Sequence, residues 1–498
     1  MLSFSVYSQG KPVERVNLAG AYLVGSDDVP LRAELTGKPG VIHCKKRSPG
    51  PAGLAVLWNV SGVGSILLET VRLLERPQPY ILQVELARGR LLRINQKLEE
   101  WGMIQFEGTE PITAKIASAR ERLIQALQAA TPAQASESGE AALAEAVAAS
   151  EELTRFHADM LLTRRKQSGG IPRRAFGCAI SLDSPTDLCT KRLAGSFDFV
   201  TVPFLWKEIE PREQSFQWKP LDTWIEKLTK ARIPIKGSAL LSFHERNVPD
   251  WLYTWENNFD ALRDLAFEHA RRIINRYGQY VQTWDVISGI HASHGFAFNF
   301  EQLMELTRMT AALSKQASPR STSVVNLVAP WGEYYAKNQR TIPPMLYADM
   351  AVQSGVNFDA FGVQFEFGPL VDGTFMRDLF QVSALLDQFT KMSKPVHVTG
   401  VQVPSDAPVR PESRADGVRV ESGSWHGPWS EQVQADWVRE FVQIALSKPF
   451  VDSVSWGTIQ DHPRQAVPNG GLLRSDLAPK RAYQQFVKLR SDLSGGAR

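Results

Sequence analysis

The run Val281-Gln282-Thr283-Trp284-Asp285-Val286-Ile287-Ser288 is rich in β-branched and aromatic residues, which is typical of a buried strand. Seven further runs of the same kind occur in this part of the chain, at residues 176–180, 197–204, 234–241, 323–330, 358–366, 395–403 and 451–459. Amphipathic stretches such as residues 259–277 and 300–316 separate them. Eight strands with helical crossovers predict an α/β fold, the (β/α)8 TIM barrel, whose functional groups lie at the carboxyl ends of the strands.

The part of the chain before this barrel has a different pattern. Residues 1–85 contain β-type runs such as 53–58 and 80–84, separated by Gly and Pro turns, which predicts a small sandwich-like β-rich domain. Residues 86–103, 112–130 and 140–165 have helical spacing, and residues 131–139 form a polar link that contains helix breakers. We therefore predict a β-rich domain at residues 1–108, a helical hairpin or linker at 109–168, and the barrel at 169–498.

Composition excludes several classes of partner. The 498 residues exceed what one core usually serves, and 43% hydrophobic with 22% charged residues is ordinary for a globular protein. A net charge of +3 gives no strong attraction to nucleic acid or an anionic membrane, and no run is long enough to span a bilayer. We predict no nucleic-acid or membrane partner, and the oligomeric state stays open.

The location is predicted from the N-terminal residues and the cysteines. Residues 1–8 lack the basic start and apolar core of a secretory signal, so the cytoplasm is the expected location. Cys44, Cys178 and Cys189 form an odd set without metal-type spacing, which indicates a reducing compartment.

Short blocks along residues 175–493 carry a family resemblance through their order and spacing. They are found at residues 176–180, 206–211, 236–240, 284–286, 359–364, 455–457 and 479–483. Together they resemble glycoside hydrolase family 10, whose best known members are endo-β-1,4-xylanases. The resemblance implies hydrolysis of O-glycosyl bonds in β-1,4-linked polysaccharides such as xylan, with a carbohydrate partner and no cofactor.

The resemblance fails at the two positions that carry the family's chemistry. Family members are retaining hydrolases that use one Glu as general acid/base and a second as nucleophile. By alignment of the motifs these positions are Gly289 and Gly400, and glycine supplies neither a proton nor a nucleophile. The standard retaining mechanism is therefore predicted to be lost.

Sugar-binding positions of the family also differ in this chain. Gln364 and Trp456 are retained, whereas other positions carry unexpected residues, namely Val202, Leu205, Ser238, Ser242, Ser288 and Glu366. Recognition of xylan is therefore as open as its hydrolysis.

Relocated carboxylates are the alternative source of chemistry, because a glycosidase needs only two carboxyls that flank the bond. Glu366 and Glu333 are the best candidates, and Asp285 is a third. Phe365 and Phe367 beside Glu366 are expected to raise the pKa of its carboxyl. The alternative for each is a structural role, as it is for the other acids near the predicted active face, Glu208, Glu210, Glu245 and Asp461.

Candidate substrate-binding residues are mostly aromatic, because a flat ring suits the apolar face of a sugar. They are Gln364, Trp456, Trp206, Trp331 and His244, while residues 425–429 add two further tryptophans on a loop. The alternative for each Trp is packing within the barrel. His244, His291 and His294 follow two neighbouring strands, so a metal site there stays open, although no tight ligand motif supports one and no metal is predicted.

Three hypotheses for function remain at this point. The first is a family 10-like carbohydrate-active protein, which includes the case of an atypical glycosidase that uses relocated acids. The second is a pseudoenzyme whose barrel binds carbohydrate or regulates without turnover. The third is a scaffold protein in which the N-terminal sandwich and the Ala-rich helix at residues 140–165 make the contacts.

Overall fold

Eight parallel strands form a closed barrel in the computed structural model, which describes residues 1–293, 295–406 and 421–494. The barrel strands are β11 (Phe176–Ala179), β12 (Phe199–Pro203), β13 (Ile235–Ser238), β14 (Val281–Ser288), β15 (Thr322–Leu327), β16 (Ala360–Glu366), β17 (Val396–Gln402) and β18 (Val451–Trp456). The predicted (β/α)8 barrel is confirmed, and the β-rich segment before it is also present.

Helices connect these strands and surround the barrel. They are α4 (Thr186–Leu193), α5 (Trp206–Ile209), α6 (Lys219–Lys230), α7 (Phe259–Tyr277), α8 (Phe300–Ala317), α9 (Tyr334–Lys337), α10 (Pro344–Gln353), α11 (Leu379–Gln388), α12 (Glu431–Ser447) and α13 (Arg481–Ser494). In α7 the residues Leu262, Ala266 and Ile273 recur at helical spacing on the buried face. A capping box between Asn299 and Gln302 fixes the start of α8.

Two four-stranded sheets precede the barrel. Their strands are β1 (Leu2–Ser5), β4 (Tyr22–Val24), β5 (Pro30–Leu31), β6 (Ala33–Lys38), β7 (Val41–Lys46), β8 (Gly53–Val60), β9 (Gly64–Glu69) and β10 (Tyr80–Ile81), with β2 (Tyr7–Ser8) and β3 (Lys11–Pro12) as a separate pair. The strand predicted over residues 80–84 is wrong beyond Ile81, because helix α1 (Leu82–Glu100) begins at the next residue.

Helices α2 (Glu110–Gln128) and α3 (Pro132–Gln167) follow α1. The polar link predicted at residues 131–139 is wrong, because α3 begins at Pro132 and continues through Gly139 without interruption. Proline at the first helical position lacks only an N–H that the helix does not use. The Thr131 side chain accepts a hydrogen bond from Gln134 N at 3.3 Å, so the breaker residues act as a helix start.

Buried arginine side chains join the preceding helices to the barrel. Arg90 on α1 pairs with Asp378, the residue that caps α11, and both side chains are almost fully buried. The Arg165 guanidinium on α3 donates to the carbonyls of Leu446, Lys448 and Val451 at 2.7–3.0 Å. The division at residues 108 and 168 into separate domains stays a prediction.

Two further observations concern helix hydropathy and the cysteines. In residues 1–293, 295–406 and 421–494, no helix is both long and apolar enough to cross a bilayer. Cys44, Cys178 and Cys189 are buried free thiols.

Candidate active site

Position 289 immediately follows β14 and has a backbone that favours glycine. Gly289 has φ +64° and its N–H donates to the carbonyl of Asn326 at 3.0 Å. A Cβ atom at this position would lie 2.9 Å from Cγ2 of Val328. Both the left-handed backbone and the close isopropyl group therefore oppose any side chain at position 289.

Position 400 lies inside β17 and has more space. Gly400 is paired in register with Gln364 on β16. A Cβ atom there would lie 3.5 Å from Cγ and Nε2 of Gln364, an ordinary van der Waals contact. The strand would accept a side chain at this position, provided that the Gln364 amide adjusts to the atoms beyond Cβ.

A neutral hydrogen-bond network connects the strands that carry the two glycines. The amide of Asn326 on β15 donates to Ser288 Oγ at 2.8 Å, and the Thr399 hydroxyl donates to Asn326 Oδ1 at 2.5 Å. Gly362 on the intervening strand makes room, because a Cβ there would lie 2.3 Å from Asn326 Oδ1. Residues adjacent to positions 289 and 400 are thus joined by uncharged groups.

Glu366 lies at the carboxyl end of β16, two residues after Gln364 and therefore on the same face of the strand. Its side chain is partly exposed. Burial raises the pKa of the Glu366 carboxyl, and the positive charge of Arg246 opposes that shift. This carboxyl therefore lies at the barrel mouth, by which we mean the carboxyl ends of β11–β18 and the loops that follow them.

Glu333 and Asp285 are held by buried cations. Glu333 is 3% exposed and accepts a hydrogen bond from Arg377 Nη2 at 2.8 Å, and the same nitrogen donates to the Tyr22 hydroxyl at 2.8 Å. Asp285 is fully buried, with Oδ1 3.0 Å from Lys236 Nζ. Burial lowers the pKa of Lys236, and the nearby carboxylate opposes that shift. Each of these two acids already has a structural partner.

The remaining acids near the mouth have varied environments. Glu210 accepts hydrogen bonds from Trp206 Nε1 at 3.0 Å and from Gln214 N at 2.8 Å. Asp461 pairs with Lys480 at 2.6 Å. Burial raises the pKa of the Glu208 carboxyl. The Glu245 side chain is exposed.

The candidate aromatic residues divide into packed and accessible groups. Trp456 is fully buried and its indole N–H donates to the Gly470 carbonyl at 2.8 Å. Trp206 is 3% exposed and stacks on His269, with ring centroids 4.2 Å apart. Trp331 is partly exposed and lies against Phe365. Packing accounts for the first two rings, while Trp331 keeps accessible surface.

The histidines considered as metal ligands are not in one environment. The His291 ring is fully buried, donates from Nδ1 to the Tyr334 hydroxyl at 2.6 Å and accepts from Val328 N at 3.3 Å. Burial lowers the pKa of His291 to about 3. His244 is exposed, and His294 lies outside the described residues. Within the described part of the chain, no group of three or more His, Cys, Asp or Glu residues is arranged to hold a metal ion.

Comparison with known proteins decides the family. The model of glycosyl hydrolase family 10 matches residues 173–489, which is more than half of the chain. The chain belongs to this family.

The individual relatives match this chain over only part of its length. Endo-1,4-beta-xylanase C of Paenibacillus barcinonensis is 30% identical over 132 residues, which are 24% of this chain and 12% of that protein. An endo-1,4-beta-xylanase/feruloyl esterase of Xylanibacter ruminicola is 27% identical over 110 residues, 21% of this chain and 15% of the relative. The matches thus span less than a sixth of these relatives.

Solved structures similar to this chain include a family 10 protein and a xylanase. The structure of the Paenibacillus barcinonensis family 10 protein has a TM-score of 0.47 at 19% identity and covers 67% of this chain and 97% of its own. Native xylanase 10B from Thermotoga maritima has a TM-score of 0.46 at 15% identity, with the same two coverages.

Three residues of this family 10 barrel were not singled out from the sequence. Asn326 links β14 to β17 by hydrogen bonds, and Arg377 donates a hydrogen bond to Glu333. The positive charge of Arg246 opposes the rise in the pKa of Glu366. Arg377 and Arg246 carry no motif that identifies their partners. Asn326 has a signal, because a polar residue inside an otherwise apolar barrel strand must find a hydrogen-bond partner.

Proposed function

We propose that this family 10 barrel binds a β-1,4-linked glycan at its mouth and does not carry out the standard retaining hydrolysis. The observation that carries the proposal is the backbone of Gly289, which is left-handed and abuts Val328. Retaining hydrolysis needs two carboxyls about 5–5.5 Å apart, one to protonate the leaving oxygen and one to attack the anomeric carbon. Glycines at positions 289 and 400 supply neither group.

The residues proposed to contact the glycan are those with accessible surface. Gln364 is partly exposed beside Gly400 and offers an amide that both donates and accepts. Trp331 offers part of an aromatic ring, and His244 offers an exposed imidazole. Trp206 and Trp456 then shape the mouth by packing and do not stack on sugar.

Calorimetry with xylohexaose and cellohexaose tests this proposal. We expect at least one of them to bind the full chain without release of new reducing ends, and Gln364→Ala to weaken that binding. Tyr280→Ala is the control, because Tyr280 is an exposed aromatic residue at the opposite, amino end of β14. Failure of both sugars to bind, or steady turnover of either, would reject the proposal.

An atypical glycosidase is the second candidate, and Glu366 favours it. A partly exposed carboxyl with a raised pKa at the mouth has the properties of a general acid. Glu333 and Asp285 are the other proposed acids, although Arg377 and Lys236 already neutralise them. Under this candidate, hydrolysis of an oligosaccharide by the native protein is abolished in Glu366→Gln. A rate unchanged by that substitution would exclude Glu366.

A further inference from the structure

A groove outside the barrel mouth has no assigned role. Its volume is about 910 Å³. It lies between strand β8 and one face of helix α3. All but one of its lining residues precede residue 146, so it is built almost entirely by the N-terminal sheets and helices. Volumes of about 300–1,000 Å³ are typical of pockets for small ligands.

Trp58 forms the aromatic part of this groove. The side chain is partly exposed, on the face of β8 opposite to Leu57, whose side chain packs with Tyr22 and Phe375. The Trp58 indole N–H points to Glu140 Oε1 on α3 at 3.4 Å. The contact orients the ring and places it beside the Glu140 carboxylate, which also lines the groove.

The charges of the groove disfavour an anionic ligand. Glu145 is neutralised by Arg122 at 2.6 Å, and the other charged lining residues are Arg15 and three acids, Glu137, Glu140 and Glu421. Most of the polar rim is uncharged, with amide and hydroxyl groups from Ser8, Gln9, Asn17, Asn59 and Ser61. Such groups both donate and accept hydrogen bonds, which matches the hydroxyls of a sugar.

We propose that this groove is a carbohydrate-binding site, separate from the barrel mouth, which takes a neutral oligosaccharide. One pyranose ring stacks on Trp58, because the apolar face of a sugar suits the flat indole. Hydroxyl groups of that ring and its neighbour bond to the Glu140 carboxylate and to the amides of the rim. The N-terminal unit thereby holds a glycan independently of the barrel.

Calorimetric titration of the full chain with xylohexaose tests the groove. We expect Trp58→Ala to weaken this site about tenfold, as the loss of an aromatic contact implies. Trp58→Phe keeps a stacking ring and should bind within about threefold of the native protein. Glu140→Gln removes the charge with little change of shape, so it gives a second readout if Trp58→Ala fails to fold.

Controls separate the groove from the barrel mouth. Gln364→Ala should leave the groove site intact, and Tyr280→Ala should leave both sites intact. If Gln364→Ala has no effect while Trp58→Ala and Glu140→Gln weaken binding, the groove proposal stands and the proposed role of the mouth fails. The groove proposal is overturned if Trp58→Ala and Glu140→Gln both leave xylohexaose binding unchanged. It is also overturned if hexalysine binds more tightly than xylohexaose through Trp58, because the groove is then a site for basic peptides.

Discussion

A Cβ atom at Gly289 would lie 2.9 Å from Cγ2 of Val328, whereas a Cβ at Gly400 would meet nothing closer than 3.5 Å, at Gln364. The two positions at which the sequence predicts the family's carboxylates therefore differ in the space and backbone conformation that they offer to a side chain. The first combines a φ of +64° with a steric contact, and the second is regular strand.

Restoring the two carboxylates should affect stability unequally. Gly289→Glu is expected to lower the free energy of unfolding by about 2–4 kcal/mol, because it adds left-handed strain to overpacking against Val328. Gly400→Glu should cost less than Gly289→Glu, since its Cβ fits. Urea unfolding of both variants checks this order. Adding Val328→Ala to Gly289→Glu should recover part of the loss, and equal costs for the two single variants would contradict the argument.

Removing Arg377 should be among the most damaging single changes. Its guanidinium is fully buried and bonded to Glu333 and Tyr22, so Arg377→Ala leaves the Glu333 carboxylate unpaired. We expect a loss of about 3–5 kcal/mol in the free energy of unfolding. The control is Arg271→Ala, which breaks an exposed pair with Glu268 and should leave the free energy of unfolding nearly unchanged, because solvent screens that pair. Similar losses in both variants would show that the buried cluster is not structural.

The contact between the loop after β17 and helix α3 should stabilise the protein by an amount that depends on pH. His426 donates from Nε2 to Glu151 at 2.8 Å and from Nδ1 to the Gly62 carbonyl at 3.1 Å, which requires the doubly protonated ring. The hydrogen bond to Glu151 is the largest cause of the raised pKa of His426. The stabilisation is therefore complete below the ordinary histidine pKa of about 6.5 and is lost as the pH rises through the raised value. Unfolding at pH 5.5 and 8.5 should show this loss in the native protein and less of it in His426→Gln.

The Glu366 carboxyl should also lower the free energy of unfolding as the pH rises, but for a different reason. Burial raises the pKa of its carboxyl, so the folded state holds the proton more tightly than the unfolded chain does. The associated stability is present below the ordinary carboxyl pKa of about 4.3 and lost as the pH rises through the raised value. Glu366→Gln should be more stable than the native protein at pH 8 and equal to it at pH 4. A less stable variant at pH 8 would show that the charge of Glu366 is needed in the fold.

Much of the fold was predictable because hydrophobic runs mark barrel strands directly. All eight strands lie where the pattern placed them, and β14 was predicted residue for residue. One error came from reading helix breakers without their position. Residues 131–139 contain Pro, Ser and Gly, yet a 36-residue helix begins there. Pro132 occupies the first turn, where proline does not disturb a helix. Packing of α3 against α1 and α2 offsets the poor helix propensity of Gly139.

The sequence predicted which residues lie at the candidate site, but it did not predict the side-chain contacts that those residues make. Motif spacing placed Gly289 at the end of the fourth barrel strand, Gln364 on the sixth and Gly400 on the seventh. It could not show that Trp456 bonds to Gly470 or that Glu333 is neutralised by Arg377, because those contacts join residues far apart in sequence. The roles of Glu366, Glu333 and Asp285 in catalysis stay predictions.

Nuclear magnetic resonance of xylohexaose incubated with the full-length native protein tests the central claim most directly, because it reports both cleavage and the anomeric configuration of the product. We predict that no new reducing-end signals accumulate. Steady accumulation of shorter oligosaccharides that first appear with the β configuration would contradict the account, since it would show retaining hydrolysis despite glycine at positions 289 and 400.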